Sequence, residues 1–172
     1  MSLRLLGSDL VHLDRGTFMW VGLTRFALSR GGDDRSLLAA LVASPAYAHD
    51  YASPFPAEPV VTEPAVHGRW WRDSITADSF TPTTAAEAEA RVRAWANDQE
   101  WTDPDYRQPP EVLDRLETVW AVLRSGSVHR LENPGAEQEH EYGSVVGGLG
   151  FHEFVVIDRS SGVVHLVVAS DD

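Results

Sequence analysis

Phe151-His152-Glu153-Phe154-Val155-Val156-Ile157-Asp158-Arg159-Ser160-Ser161-Gly162-Val163-Val164-His165-Leu166-Val167-Val168-Ala169 decides how this chain is read. Two runs rich in β-branched residues flank a turn signal, Asp158 to Gly162, so 151–157 and 163–169 read as paired strands. The runs are nearly continuous in apolar residues rather than alternating, which means burial on both faces. In the second run Val163, His165, Val167 and Ala169 form one set, and Val164, Leu166 and Val168 the other. One set can pack on helices. The other needs a cover, because each such side chain gains roughly 1.5–3 kcal/mol by leaving water. Two covers are available: a long aromatic loop of this chain, or the same face of a second copy in a two-fold homodimer. Upstream, Glu139 to Val146 followed by Gly147-Gly148-Leu149-Gly150 reads as a further strand and turn. Together these segments predict a C-terminal three-strand meander.

Working back from the meander, two helices are predicted, over 84–99 and 110–125. Thr84 with Glu87 three residues later is a capping-box signature. Ala88, Val92 and Trp95 then share a face. Pro109-Pro110 opens the second helix, where a missing N–H costs nothing, and Val112, Leu116, Val119, Trp120 and Leu123 recur with a period of 3.6. At the other end, Leu3 to Leu13 and Thr17 to Phe26 read as a hairpin turning at Arg15-Gly16. Asp33 or Asp34 caps a helix through Leu37, Leu38, Leu41 and Val42, which Ser44-Pro45 ends. This order predicts a single α+β domain over 1–172: a mainly antiparallel sheet with helices packed on one face.

Between the first helix and the second lies 45–82, with six of the chain's ten prolines. Proline at that density prevents a regular helix or a central strand. The aromatic residues among the prolines argue for an ordered excursion that wraps the core, with an edge strand over Val66 to Trp71. Tyr51, Phe55, Trp70 and Trp71, with Trp101 beyond the following helix, are the candidate binding residues, as a ligand cleft or partner contact. The competing reading is that they seal the loop against the core.

Composition excludes several classes. At 172 residues, 43% hydrophobic and 23% charged, the chain suits one globular core. Zero cysteines exclude disulfides, thiolate metal sites and cysteine nucleophiles. All fourteen basic residues are arginine, so there is no Schiff-base lysine and no P-loop lysine. The net charge of −12 is uneven: residues 87–172 hold seventeen acids against seven arginines. Such a surface repels phosphate backbones and steers cationic partners. No apolar run approaches the roughly 20 residues of a membrane span, and the first residues lack the pattern of a signal peptide. The expectation is a cytoplasmic protein with no nucleic-acid or membrane partner.

The residues that could carry chemistry are few. The glycine-rich turn at 147–150 precedes a strand, whereas a phosphate loop needs a helix N-terminus behind it. His140 and Glu141 with His152 and Glu153 form the best acid–histidine cluster. If 139–146 and 151–157 pair, registers that place odd positions opposite even ones bring His140 near Glu153 on one face and His152 near Glu141 on the other. Each is then only a two-ligand pair, short of the three or four a metal site wants, and cross-strand salt bridging is the simpler reading. His165 on its apolar strand reads as a buried, hydrogen-bonded residue. No hydrolase elbow, zinc-protease helix, Walker motif or dinucleotide fingerprint occurs, and no cofactor is implied. Two functions stay open. The first is a non-enzymatic binding module, for instance one that neutralises a basic protein. The second is a small metal-dependent or acid–base enzyme using His140, Glu141, His152 and Glu153.

Overall fold

The computed structural model describes residues 3–28, 31–53, 65–98 and 103–171. Its centre is a six-stranded antiparallel sheet of β1 (Arg4–His12), β2 (Met19–Ala27), β5 (Phe80–Thr83), β6 (Ser127–Leu131), β7 (His152–Asp158) and β8 (Val163–Asp171), in the order β1-β2-β8-β7-β6-β5. The two apolar runs are its middle. β7 pairs β8 from His152↔Ala169 to Asp158↔Val163, and β8 pairs β2 along its whole length. The Asp158 carboxylate shapes the turn between β7 and β8. It accepts from the backbone N–H and hydroxyl of both Ser160 and Ser161, and these bonds hold its pKa down at about 2.

Both faces of β7 and β8 are covered by the chain itself. On one lie α2 (Ala85–Ala96) and α3 (Pro110–Leu123), whose Val92, Trp95, Leu116, Val119 and Trp120 pack on Val21, Phe154, Val156 and Val167. The capping box forms as expected, with Thr84 Oγ1 accepting from Glu87 N at 3.1 Å and Glu87 Oε2 accepting from Thr84 N at 3.0 Å. On the opposite face lie α1 (Asp34–Ala43) and the excursion that follows it. Leu37, Leu41, Tyr47, Tyr51 and Trp70 cover Val155, Ile157, Val164, Leu166 and Val168. The cover that the second strand set required is therefore intramolecular, and a second chain is not needed to bury it.

The excursion is held at several points. A single 3₁₀ turn at Pro45–Tyr47 follows α1. A two-residue hairpin, β3 (Val66–His67) and β4 (Trp70–Trp71), turns at Gly68, where φ is +54° and an added Cβ would lie 2.5 Å from the Phe151 ring. His49 bridges to this hairpin through backbone bonds to Val66 and Gly68. The Arg72 guanidinium donates to the carbonyls of Val42 and Ser44 at the end of α1.

One expected strand is absent. Residues 139–146 do not pair with β7. They contain one 3₁₀ turn, Gly143–Val145, and Glu139 makes a single bridge to Trp70. The reason lies in contacts distant in sequence. His140 is buried and its Nε2 lies 2.8 Å from the Gly68 carbonyl, and Gly143 packs so closely that a Cβ would sit 2.3 Å from the Arg69 carbonyl. These contacts tie the segment to the β3–β4 hairpin. The meander consists instead of β6, β7 and β8, with β6 pairing β7 from Ser127↔Ile157 to Arg130↔Phe154.

Candidate functional site

Glu153 interrupts the apolar run of β7 on the face covered by the excursion. A buried carboxylate must find partners, and the excursion supplies two. The Tyr47 hydroxyl donates to Glu153 Oε1 at 2.7 Å, and His67 Nε2 lies 2.5 Å from Glu153 Oε2. His67 Nδ1 lies 2.5 Å from the Tyr47 carbonyl. A carbonyl only accepts, so Nδ1 carries a hydrogen. One further proton lies between Nε2 and Oε2, and the pair is neutral overall whichever atom holds it. The Tyr47 and His67 rings stack with centroids 3.6 Å apart and planes 6° apart, and Tyr51 meets His67 edge-on at 5.3 Å. Burial, and then the nearby Glu153 charge, push both phenol pKa values well above the ordinary tyrosine range. The side chains of His67 and Glu153 are fully buried. In this conformation the triad joins the excursion to the sheet, and no substrate atom can touch it.

The open site lies beside the triad, where β6 and β7 separate. After Leu131 the chain stays with β5, through Leu131↔Phe80 and a bond from Glu132 N to Ser79 O. β7 extends beyond the last β6 pair at Phe154 to His152, paired there only with β8. Residues 132–139 arch over the gap and bridge to Trp70. The result is a cleft of about 510 Å³ lined by Arg69, Arg91, Arg130, Glu132, Glu139, His152, Trp70, Phe151 and Phe154 among others. That volume is in the range of small-molecule sites. A second hollow of about 290 Å³, lined by Thr81, Thr83 and Glu87, shares Arg91, Arg130 and Phe154 with it.

His152 lies on the α2–α3 side of this cleft, 6.3 Å from the Trp95 ring. Its pKa is pushed down to about 4, first by burial and then by the charges of Arg91 and Arg130. At neutral pH it is an uncharged imidazole, with one N–H to donate and one lone pair to accept. Arg69 donates to Glu139 at 3.0 Å and to the Gly147 carbonyl, and Arg130 donates to Glu132 at 2.5 Å.

The residues expected to meet do not form the two cross-strand pairs. His140 bonds to Gly68, Glu141 is exposed, His152 faces the cleft, and Glu153 points to the opposite face of the sheet toward His67. Among the described residues no group of three or more histidine or carboxylate side chains is placed to hold a metal ion. Tyr51 and Trp70 are buried in the core at 7% and 6% exposure, and Trp71 is half-buried with its ring edge toward His140. Of the five candidate binding residues Trp70 lines the cleft, while Phe55 and Trp101 lie outside the described residues. His165 is half-buried and its Nδ1 has no hydrogen-bond partner among the described residues, contrary to the expected bonding.

The glycine-rich turn has a ligand of its own. The Asp171 carboxylate accepts from Leu149 N at 3.0 Å and the Asp171 carbonyl from Gly147 N at 3.1 Å, so the end of β8 fills it. Among the described residues no helix is long and apolar enough to cross a membrane. Compared with protein-family models, with curated proteins and with solved structures, the chain matches none.

Proposed function

We propose that this protein is a non-enzymatic binding module and that its recognition site is the cleft between the diverging ends of β6 and β7. One observation carries the reading. The histidine and glutamate best arranged for proton chemistry, His67 and Glu153, are closed inside the core, whereas the open cleft presents guanidinium groups, an uncharged imidazole and ring edges. That is a recognition surface: mostly fixed walls with a few polar groups that converge.

A screen of a few hundred chemically diverse fragments, read by amide chemical shifts, tests the proposal. The expected hits perturb Arg130 and Phe151 to Phe154 together. Hits that scatter over the surface, or that gather elsewhere, would refute it.

A basic protein partner is the second reading. It is favoured by the net charge of −12 and by Glu111, Asp114 and Glu117, which stand exposed on the outer side of α3. Such binding would weaken with rising salt, because exposed charges are screened beyond about 10 Å at 0.1 M.

A further inference from the structure

The cleft gathers arginines in a chain that is globally acidic. Three of the fourteen arginines line it, against two carboxylates with open positions there, Glu132 and Glu139. Glu132 is engaged by Arg130 and by the Thr81 hydroxyl, and Glu139 by Arg69. Glu87, beside the smaller hollow, caps α2 and accepts from the Thr83 hydroxyl. Glu153 also borders the cleft, but its carboxylate is held by His67 and Tyr47. Arg91 differs from the other two arginines: it stands exposed on α2 and makes no hydrogen bond or ion pair among the described residues.

Burial, and then the charges of Arg91 and Arg130, keep His152 neutral. The two guanidinium charges beside it favour an anion, and the neutral imidazole can donate an N–H to it. Arg91 and Arg130 also border both hollows. A group between them borders both hollows. Trp70 and Phe151 also line the larger one, and their rings meet edge-to-face at 5.4 Å.

Resting on the reading of the cleft as a binding site, the geometry points to a small aromatic oxyanion as its ligand, a carboxylate or a phosphate monoester held between Arg91 and Arg130. The planar guanidinium fork suits either oxyanion, by paired charge-assisted hydrogen bonds. The ring extends toward Trp70 and Phe151.

The test is an amide chemical-shift titration with three probes at 0.1 M salt: phenyl phosphate, benzoate and benzylamine. Saturable shifts at Arg130, His152 and Phe154 are expected with phenyl phosphate, benzoate or both, and their relative affinities distinguish the two oxyanions. Arg91→Gln and Arg130→Gln should each weaken the better anion by about tenfold or more, as expected for a lost charge-assisted bond. Arg91 is exposed, so its variant is expected to keep the native spectrum. Benzylamine shifting these amides while both anions fail would overturn the anion assignment and leave the cleft as a binding site. Failure of all three probes, together with a fragment screen that avoids the cleft, would overturn both. Anion affinities unchanged in both variants would also overturn the assignment.

Discussion

Replacing Glu153 with alanine should cost far more than replacing it with glutamine, and the difference follows from the proton count in the buried triad. Alanine removes both acceptors. The Tyr47 hydroxyl and His67 Nε2 are then left in the core without partners. Each orphaned polar group costs about 1–3 kcal/mol, and breaking a buried pair by deleting one member typically costs about 3–5 kcal/mol. We expect Glu153→Ala to fall in that range. For a chain of this size the loss corresponds to a drop of roughly 10 °C in Tm.

Glutamine has the same shape and can satisfy every partner. Its carbonyl accepts from Tyr47, and its amide donates to Nε2 of a neutral His67 whose Nδ1–H stays on the Tyr47 carbonyl. Glu153→Gln should therefore cost less than about 1 kcal/mol. Tyr47→Phe lies between, losing one bond to a charged or proton-sharing acceptor at about 1.5–3 kcal/mol. Urea unfolding followed by tryptophan fluorescence, with the midpoint and slope read separately, measures all three. A Glu153→Ala protein as stable as the wild type would show that the triad does not hold the excursion. A Glu153→Gln protein as damaged as the alanine variant would refute the proton count.

Four further outcomes are expected. The Asp158 pKa of about 2 lies below its ordinary 3.8, so its contribution to stability is present above about pH 4 and is lost as pH falls toward 2; Asp158→Asn should flatten the dependence of the urea midpoint over that interval. His152 should stay neutral down to about pH 4 in an NMR titration; because its folded pKa lies below 6.5, its contribution to stability is lost as pH falls from about 6.5 to 4, and Arg91→Gln should move the titration upward. Gly126→Ala would place a Cβ 2.2 Å from the Ile157 carbonyl oxygen, a clash with backbone that no rotamer relieves, and should destabilise by about 1–3 kcal/mol in thermal unfolding. Sedimentation at micromolar concentration should show a 19.0 kDa monomer, since both faces of β7 and β8 are covered within the chain.

What could be read from the sequence was what local pattern controls. Thr84 and Glu87 lie three residues apart and cap α2 as their spacing dictates. The apolar runs of β7 and β8 meet across a four-residue turn, and their two-sided burial follows from composition alone. The parts of the excursion over 45–53 and 65–82 were legible as ordered, because Tyr47, Tyr51 and Trp70 need a surface. The candidate site was less legible because its parts are distant in sequence. Glu153 meets His67 and Tyr47 across 86 and 106 residues. A carboxylate inside a buried run does signal a partner in whatever covers that face, and a histidine in an aromatic excursion is a suitable one. The cleft had no local signature, since it arises where β6 follows β5 while β7 runs on. The segment 139–146 misled for the opposite reason: its strand-like composition is overridden by tight contacts with Gly68 and Arg69.

A crystal structure of the chain grown with phenyl phosphate shows whether the opening between β6 and β7 is where this protein binds. The phosphate is expected between the guanidinium groups of Arg91 and Arg130, within hydrogen-bond distance of His152, and the ring toward Phe151 and Trp70. A cleft filled by the chain's own side chains, with phenyl phosphate bound at another surface, would contradict that expectation.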